Sequence, residues 1–322
     1  MGRIEGSTDG GNTSNLTKRR YQNEEDYWRI RNFLRQVLLL NGRRQFSWHV
    51  ARLDYWRWHL IDNCQICEPL ESVIFIWETE EGDIAAVLHA QSRGEAFLQV
   101  DPRLRTPALE EEMLDVAEQH FVHPERQKLW VLAHAHDDLR QNLLTHRGFT
   151  QVMRPNAVEH QHRRSLDAPI PEVQLVPGYT VRALGEIEEL PSRSWASWRA
   201  FHPDAPDEDY EGWEWYHNIQ RQPLYRRDLD IVAVAPDGEI AAFCTIWYDD
   251  FTRTAIYDPV GTMPEHQRRG LGRAILIEGL HRLKRMGAVV AFVDGYSTAA
   301  NALYDSAISP DCDLSEPWVK QY

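Results

Sequence analysis

The stretch between residues 254 and 293 constrains the fold of this chain most, because four segments of different character follow one another there. Residues 254–262 mix β-branched, aromatic and small side chains, as strands do, and Pro264 ends this pattern. Apolar residues then recur at helical spacing from 271 to 283, and residues 288–293 form a short apolar run typical of a buried strand. The order predicts an α/β fold in which a basic turn joins a strand to a helix N-terminus.

The turn before this helix has the composition of an anion-binding site. The first N–H groups of a helix lack intrahelical partners and the helix dipole adds positive potential, so a phosphate can bind to the main chain there. Gly270 and Gly272 let such a ligand come close, and the arginines around them pair well with phosphate oxygens. These arginines are Arg268, Arg269 and Arg273. The sequence therefore predicts that the turn binds a pyrophosphate.

The spacing of the glycines excludes two common phosphate-binding motifs and matches a third. No Lys-Ser or Lys-Thr pair follows the turn as a P-loop requires, and Ile275 stands where a dinucleotide fingerprint needs a third small residue. The run Gln267-Arg268-Arg269-Gly270-Leu271-Gly272 instead fits Q/R-x-x-G-x-G/A, and so resembles the acyl-CoA signature of the GCN5-related N-acetyltransferase (GNAT) superfamily. The resemblance implies acetyl-CoA as cosubstrate, without a metal, and these cofactor-binding residues: Val260, Gly261, Thr262, Gln267, Arg268, Arg269, Gly270, Leu271, Gly272, Arg273 and Asn301.

The family resemblance extends to the helix-like segment 297–305. Family members carry an Asn and a Tyr on the helix after the buried strand, and here Asn301 and Tyr304 lie one helical turn apart. The resemblance implies that Tyr304 is the general acid that protonates the departing CoA thiolate. The alternative is structural, with Tyr304 an ordinary helix aromatic and Asn301 a capping or surface residue. Two departures from the family pattern, Ser297 in place of Asn and residues 308–310 in place of Gly-Phe, affect the acceptor side more than the cofactor turn.

Acetyl transfer to an amine also needs an oxyanion site and a base. Backbone N–H groups at the strand end, over Val260, Gly261 and Thr262, can stabilise the tetrahedral oxyanion. The amine must lose a proton, so a carboxylate or a His close by is required. Asp258 is the first candidate, because it lies on the same strand and family members often carry a carboxylate there. A structural role before Pro259 is the equal alternative for Asp258. Weaker candidates for the base are Glu239 and His266.

The first half of the chain repeats the same order of elements in a weaker form. A helix, a hairpin, a strand, a turn and a second helix follow one another between residues 27 and 121. The turn at 101–107 has no glycine and carries two prolines, so we expect no close approach of a pyrophosphate there. The chain thus resembles a tandem GNAT protein with a degenerate N-terminal copy, similar in architecture to mycothiol synthase-like members. The implied fold class is α/β (α+β), with two GNAT-type domains, each a mixed, mostly antiparallel sheet with flanking helices.

Composition sets the predicted domain boundaries. The first 20 residues are rich in Gly, Ser, Thr, Asn and charge and predict a disordered tail at 1–20. Several prolines and charges predict a semi-rigid linker at 159–177. The degenerate domain then covers 21–158, and the catalytic domain covers 178–322.

Aromatic residues are concentrated between residues 195 and 224, where they are interleaved with acidic ones. Packing between helices explains any single member best, because Trp and Tyr are common in cores. As a group they can line a pocket for a cationic amine. The aromatic members are Trp195, Trp198, Phe201, Tyr210, Trp213, Trp215 and Tyr216, and the acidic ones are Asp204, Asp207, Glu208, Asp209, Glu211 and Glu214.

The whole-chain numbers narrow the setting. With 322 residues the chain is long enough for two cores, and a net charge of −14 argues against an extended nucleic-acid interface. No run approaches the roughly 20 apolar residues of a membrane helix, and no secretory signal is recognisable, so we expect a cytoplasmic monomer or homodimer. The Cys64-x-x-Cys67 pair and His134 with His136 lack further ligands at suitable spacing, which favours incidental roles over a metal site.

These features together predict an N-acetyltransferase that moves the acetyl group of acetyl-CoA to a primary amine of an unidentified small molecule by direct attack. The alternative is a non-catalytic acyl-CoA-binding sensor or regulatory protein that kept the turn and lost turnover. The departures at Ser297 and 308–310 favour that alternative.

Overall fold

The computed structural model describes residues 16–44 and 46–322, so most of the predicted tail at 1–20 lies outside the described residues. The end of that tail departs from the prediction. Thr17–Arg20 is an edge strand rather than disordered, because its main chain pairs with the strand Ile74–Glu78.

The first half of the chain supplies strands β1 to β7 and helices α1 to α5. The strands are β1 (Thr17–Arg20), β2 (Ile74–Glu78), β3 (Ile84–His89), β4 (Glu95–Val100), β5 (Lys128–His134), β6 (Thr150–Gln151) and β7 (Glu159–Ser165). The helices are α1 (Glu24–Leu40), α2 (Val50–Tyr55), α3 (Leu70–Val73), α4 (Pro107–His120) and α5 (Asp138–His146). A π-helical segment at Trp56–Ile61 continues α2.

The second half supplies strands β8 to β13 and helices α6 to α9. The strands are β8 (Thr180–Ala183), β9 (Asp230–Val234), β10 (Ile240–Asp249), β11 (Thr254–Thr262), β12 (Val290–Gly295) and β13 (Cys312–Gln321). The helices are α6 (Leu190–Phe201), α7 (Tyr216–Gln220), α8 (Leu271–Arg285) and α9 (Thr298–Ala307). Short 3₁₀ turns lie at Ile187–Glu189, Asp207–Asp209, Arg227–Leu229 and Pro264–His266.

The strands of the described residues join one mixed sheet. Their order is β1-β2-β3-β4-β5-β13-β7-β12-β11-β10-β9-β8, with β6 beside β13. The pairs β4–β5 and β11–β12 are parallel, and the other neighbours are antiparallel. Helix α4 makes the crossover of the first parallel pair and α8 that of the second, as parallel strands require. The predicted fold class, a mostly antiparallel mixed sheet with helices in each half, is confirmed.

The two halves exchange strands at the centre of this sheet. β7 precedes the second half in sequence, yet it pairs with β12 from Val290↔Ser165 to Gly295↔His160. β13, the last strand, pairs with β5 over residues 315–321 and 128–134. The linker predicted at 159–177 is therefore wrong over Glu159–Ser165, which form a central strand. Its polar side chains masked the strand pattern, because they are buried with polar partners rather than with apolar ones.

Local chemistry explains where the two crossover helices begin. Helix α8 starts after Gly270, which adopts the left-handed conformation, and its last turn carries three cations that suit the helix dipole. Helix α4 starts after Thr106, whose side chain accepts a hydrogen bond from the N–H of Leu109 (3.1 Å), with Pro107 in the first helical position. The two halves therefore begin equivalent helices by different means.

Each half has its own core, and helix α2 links them. Trp56 and Trp77 are fully buried in the first core, whereas Val50 and Ala51 of α2 pack into the second. The imidazole of His49, just before α2, lies 2.9 Å from the hydroxyl of Thr254 on β11. The helix is thereby fixed against the strand that carries the predicted site.

Candidate active site

A cleft of about 630 Å³ opens where β11, the turn before α8 and helix α9 meet. The end of α6, at Ala200 and Phe201, closes its other side. Nine of the predicted cofactor residues line it: Val260, Gly261, Thr262, Gln267, Arg268, Gly270, Leu271, Gly272 and Arg273. The structure therefore brings the strand end and the basic turn to one cleft.

The turn presents main-chain donors to this cleft. Gly270, at φ 75° and ψ 7°, turns the chain into α8 through a conformation that favours glycine. The first intrahelical hydrogen bond runs from the N–H of Ala274 to the carbonyl of Gly270 (3.0 Å), so the N–H groups of residues 271–273 have no acceptor within the helix. These donors, the helix dipole, and Arg268 and Arg273 in the lining provide the positive potential that a pyrophosphate needs. The cleft therefore fits acetyl-CoA.

The parallel strands β11 and β12 separate beside the cleft. Their pairing ends at Tyr257 and Val293. At that point β11 bulges, because Asp258 and Pro259 together oppose the single Thr245 of β10. Beyond the bulge β11 stays paired with β10, and its other edge borders the gap. Backbone N–H groups on that edge can reach a ligand that lies between the strands.

Tyr304 lies at the inner end of the cleft, on α9. Its side chain is 7% exposed, and burial raises the pKa of its hydroxyl well above the usual range, so it holds its proton at neutral pH. Gly295 makes room for this helix, since a Cβ there would lie 2.1 Å from Oδ1 of Asn301 and 3.1 Å from the Tyr304 ring. Ser297 caps α9 by accepting a hydrogen bond from the N–H of Ala300 (3.1 Å). The Ser297 departure from the family pattern therefore leaves the helix start intact.

A second cavity, of about 270 Å³, adjoins the cleft at Phe201, Val260 and Tyr304. We call it the inner cavity. Asp258, the predicted base, lines it, and both halves of the chain contribute to its wall. Its other lining residues are Trp48, Arg52, Tyr55, Leu60, Gln91 and Glu159 from the first half, and Tyr257, Pro259, Asp294 and Tyr296 from the second.

Carboxyl groups dominate the inner cavity. Burial raises the pKa of Asp258 to about 6, although Arg52 acts in the opposite direction. Burial and the nearby carboxylate of Glu159 also raise the pKa of Asp294, whose Oδ1 is buried without a hydrogen-bond partner among the described residues. Arg52 donates two hydrogen bonds to Glu159 (2.9 and 3.1 Å), and the Tyr296 hydroxyl donates another. This arrangement can accept a proton or hold a cation near neutral pH.

Two predicted cofactor residues do not line the cleft. Arg269 donates to the hydroxyl of Tyr179 at 3.0 Å. Asn301 lies beside β7, with its Oδ1 3.3 Å from Nε2 of His162. Their contacts with a cofactor stay predictions.

A third cavity, of about 320 Å³, meets the inner cavity at Tyr55, Phe201 and Pro259. We call it the aromatic chamber. Trp195 and Trp213 are not part of its lining: Trp195 stacks on Trp198, and Trp213 contacts His217 with tilted rings. The prediction that the aromatic segment lines a pocket is confirmed for five members: Trp198, Phe201, Tyr210, Trp215 and Tyr216. Its preference for a cationic amine stays a prediction.

Sequence reasoning missed three charged residues of the inner cavity. Asp294 carries a usable signal, because it follows a buried apolar run at the carboxyl end of a parallel strand, where α/β sheets bind ligands. The sequence around Arg52 and Glu159 gives no such signal, because both residues come from the first half and no spacing relates them to Asp258. The strand exchange, which places β7 beside β12, brings Glu159 there, and the packing of α2 into the second core brings Arg52.

The other motifs noted in the sequence lie apart from the cleft. Sγ of Cys64 lies 3.7 Å from a ring nitrogen of His59, and Sγ of Cys67 lies 3.7 Å from the carbonyl of Ala90. Among the described residues no group of three or more His, Cys, Asp or Glu is arranged to hold a metal ion. Across residues 16–44 and 46–322 no helix is both long and apolar enough to cross a membrane.

Comparisons with known proteins agree with this geometry. A model of the acetyltransferase (GNAT) family matches residues 187–307. The chain is 31% identical over 154 residues to a mycothiol acetyltransferase from Thermomonospora curvata, an alignment that covers 45% of this chain and about half (49%) of that relative. It is 28% identical over 259 residues to a mycothiol acetyltransferase from Kytococcus sedentarius, with 74% of this chain and 82% of the relative covered.

Solved structures share the fold over nearly the whole chain. A GCN5-related N-acetyltransferase from Sphaerobacter thermophilus superposes with a TM-score of 0.63 at 19% identity, covering 95% of each chain. A tandem GNAT protein from the clavulanic acid biosynthesis pathway gives a TM-score of 0.62 at 14% identity, covering 95% of this chain and 98% of that one. These likenesses show the fold. The family model covers the part of this chain that forms the cleft, including β11, the basic turn, α8 and α9.

Proposed function

We propose that this protein transfers the acetyl group of acetyl-CoA to a primary amine of a small molecule by direct attack. One observation carries the proposal. The phosphate-binding cleft and the carboxylate-lined inner cavity meet at Tyr304, so that a donor and an acceptor can approach one point from opposite sides. The relatives named mycothiol acetyltransferase support acetyl transfer as the reaction.

The chain's own residues bind the donor. The N–H groups of residues 271–273 and the side chains of Arg268 and Arg273 hold the pyrophosphate. Acetyl-CoA supplies the thioester that is cleaved. The N–H groups of β11 over Val260, Gly261 and Thr262 then orient the thioester carbonyl and stabilise the negative charge that develops on its oxygen.

The chemical step needs one base and one acid. The amine nitrogen forms a bond to the carbonyl carbon while the bond from that carbon to sulfur breaks. Asp258 takes the proton that the nitrogen loses, and the Tyr304 hydroxyl gives a proton to the departing sulfur. The products are an amide and free CoA. Asp258 then releases its proton to water, and the Tyr304 oxygen takes up a proton from water, so that both groups return to their starting states.

Asp258 suits the role of base better than the two weaker candidates. It lines the inner cavity next to Tyr304, and its pKa of about 6 leaves it ionised and still basic at neutral pH. Glu239 and His266 instead bind each other (2.9 Å), and His266 is also 2.8 Å from the Tyr179 hydroxyl. His266 lines the cleft on the side of the basic turn, which suits a role in cofactor binding.

Titration with acetyl-CoA by calorimetry tests the donor site first. We expect the wild type to bind one equivalent and Gly270→Asp to lose binding at least tenfold, because the new carboxylate faces the pyrophosphate. Gly238→Asp is the matched control, since Gly238 also has a positive φ (96°) and open space around its Cβ but lies outside the cleft lining. Equal loss in both variants, or no binding to the wild type, would contradict the assignment.

Release of free CoA with a panel of amines tests turnover. Tyr304→Phe is expected to keep the acetyl-CoA affinity and to lower kcat by about 10²- to 10⁴-fold, the usual contribution of a general acid. Acetyl-CoA binding without CoA release for any amine would favour the sensor instead.

A further inference from the structure

We infer that the acceptor is an amine carried on a flat apolar ring, with the ring in the aromatic chamber and the amine between Asp258 and Asp294. This inference rests on the proposed function and deepens it. It draws on the joining of two cavities and on the chemistry of their walls.

The two cavities form one continuous site, in which the aromatic chamber, Asp258 and Tyr304 follow one another. Tyr55, Phe201 and Pro259 line both the aromatic chamber and the inner cavity. Asp258 directly precedes Pro259 and lines only the inner cavity, and Tyr304 lies where that cavity meets the cleft. A ligand that fills the chamber therefore extends past Pro259 toward Asp258. Its far end reaches the place where the acetyl group arrives.

The wall of the aromatic chamber offers several ring faces, although Ser197, Asp209 and Glu211 also line it. The hydroxyl of Tyr216 donates to Asp230 (2.6 Å), and that of Tyr210 donates to Ser194 (2.9 Å), so both are engaged behind the wall. The amide of Asn63 donates to the carbonyl of Trp215 (3.2 Å). A sugar would need such groups to be available for its own hydroxyls. An aromatic ring needs only the faces, so the chamber favours an arene.

The charges of the chamber are compatible with this orientation. Burial lowers the pKa of His59 to about 4, so its imidazole is uncharged at neutral pH and does not repel a cationic amine. The acidic chamber residues Asp209 and Glu211 are exposed, which places negative charge on the solvent side of the chamber. An ammonium group is therefore attracted on its way to the site.

The inner cavity provides the polar end. Oδ1 of Asp294 is buried and, in the part of the chain that the structure describes, accepts no hydrogen bond. An amine N–H supplies the missing donor. The one cation in the lining, Arg52, is engaged by the carboxylate of Glu159 through two hydrogen bonds, so its charge is largely compensated. Asp258 and Asp294 then remain to attract the amine.

Calorimetric titration of the CoA-loaded protein with three probes tests the inference. The probes are phenethylamine, ethylamine and glucosamine, at neutral pH. We expect phenethylamine to bind at least about tenfold more tightly than either of the others, because only it buries an apolar ring. Phenethyl alcohol, which lacks the amine, is expected to bind much more weakly than phenethylamine. In the Asp294→Asn variant, the difference in affinity between phenethylamine and phenethyl alcohol is expected to be smaller.

A matched pair of tryptophan variants locates the ring. Trp198→Ala opens the wall of the chamber and is expected to abolish the preference for phenethylamine over ethylamine. Trp213→Ala removes the same side chain from the same segment but outside the chamber lining, and is expected to keep the preference. Both tryptophans are only partly buried, so neither substitution removes a fully buried core residue.

Each result decides the inference separately from the proposed function. Glucosamine binding as tightly as phenethylamine, or a preference that survives Trp198→Ala, would overturn it. The titrations are repeated without CoA, so that amine binding to the chamber is measured even if acetyl-CoA fails to bind. Failure of acetyl-CoA to bind would contradict the proposed function alone. Selective phenethylamine binding without CoA release supports the inferred site and argues against catalysis.

Discussion

The two halves of the molecule share one scaffold and differ where a crossover helix begins after a parallel strand. In the second half, Gly270 opens α8 beside a cleft that can hold an anion. In the first half, Thr106 caps α4, and Arg105 before it binds Glu110 (2.5 Å) and Asp137 (2.7 Å). Arg140 completes this cluster by donating two hydrogen bonds to Glu110. The first half therefore caps this helix with a threonine side chain and places an ion cluster beside it, whereas the second half starts the equivalent helix with a glycine at a cleft.

The helices that follow the parallel pairs differ in the same sense. Counted from their caps, Ser297 and Asp137, the position of Tyr304 on α9 corresponds to Leu144 on α5. Leu144 is fully buried in the first core and has no proton to give. At the equivalent positions the first half thus has neither a glycine in the turn nor a tyrosine on the helix, while it keeps the same order of strands and helices. The first half contributes instead the wall of the inner cavity, through α2 and β7.

The largest expected effect comes from separating the halves. Proteolytic cleavage between 166 and 177 is expected to leave them associated and active, because β7 and β13 each pair across the division. After separation in denaturant, residues 178–322 alone are expected to lose all acetyl-CoA binding and all turnover, since β12 lacks its partner β7 and β13 lacks β5 and β7. Size-exclusion chromatography and calorimetry measure this, with recombined halves as the control. An isolated second half that binds acetyl-CoA like the intact chain would show that the exchange is dispensable.

Breaking the buried ion cluster of the first half should cost stability without affecting the cofactor site. Glu110→Gln leaves Arg105 and Arg140 without their shared carboxylate, so we expect a loss of about 3–5 kcal/mol in the free energy of unfolding. Glu278→Gln in α8, which removes a partly exposed carboxylate that pairs with Arg282 and Arg285, is the control and is expected to cost about 1 kcal/mol or less. Urea unfolding measures both. A changed acetyl-CoA affinity in Glu110→Gln would argue against the division of roles between the halves.

The carboxylate of the inner cavity should set the pH dependence. With the pKa of Asp258 at about 6, kcat/KM is expected to fall as the pH drops through that value, because the protonated acid cannot take the amine proton. Asp258→Asn is expected to lower kcat by about 10²-fold and to remove this limb. Asp101→Asn in the first half, which disturbs a carboxylate bound to Arg103, is expected to leave the limb in place. A limb that persists in Asp258→Asn would assign the base elsewhere.

The same substitution should stabilise the fold. Because the folded-state pKa of Asp258 is raised from 3.8 to about 6, the native protein binds this proton more tightly than the unfolded chain does. Its contribution to stability is therefore present below about pH 4 and is lost as the pH rises to about 6. We expect Asp258→Asn to melt about 2–4 °C higher than the wild type at neutral pH. A lower melting temperature would show that the carboxylate is held by favourable contacts.

The smallest expected effect distinguishes the two turns directly. Arg268→Ala removes one charge from the cleft lining and is expected to weaken acetyl-CoA binding about tenfold. Arg103→Ala removes an exposed arginine from the equivalent turn of the first half, where it is paired with Asp101, and is expected to change nothing. Calorimetry on both variants measures the contrast. Equal weakening would place acetyl-CoA binding in both halves.

The sequence predicted the second half well because its signals are local. The bounds of β11 coincide with the predicted strand 254–262, and the predicted helix 271–283 lies within α8. Glycine spacing and helix polarity act within a few residues of one another, so they can be recognised without knowledge of the fold. Nine of the predicted cofactor residues consequently line one cleft.

The acceptor side could not be predicted in the same way. Glu159 lies in a stretch whose charge and neighbouring prolines indicate a linker, yet it is buried in a central strand. Its environment depends on β12 and β13, which come more than a hundred residues later. Arg52 likewise depends on a contact between halves. Long-range pairing of polar strands leaves no period in the sequence, so the inner cavity emerges only from the assembled sheet.

The strand exchange also has a consequence for how the protein is made. While the ribosome synthesises the second half, β5 and β7 each have an unpaired edge, because their partners β13 and β12 have not yet been made. Their open edges can pair with other nascent chains during this interval, so the first half is exposed to aggregation longer than an independent domain would be. Slowing translation between β7 and β13 should therefore lower the yield of native protein, and a chaperone that covers strand edges should restore it.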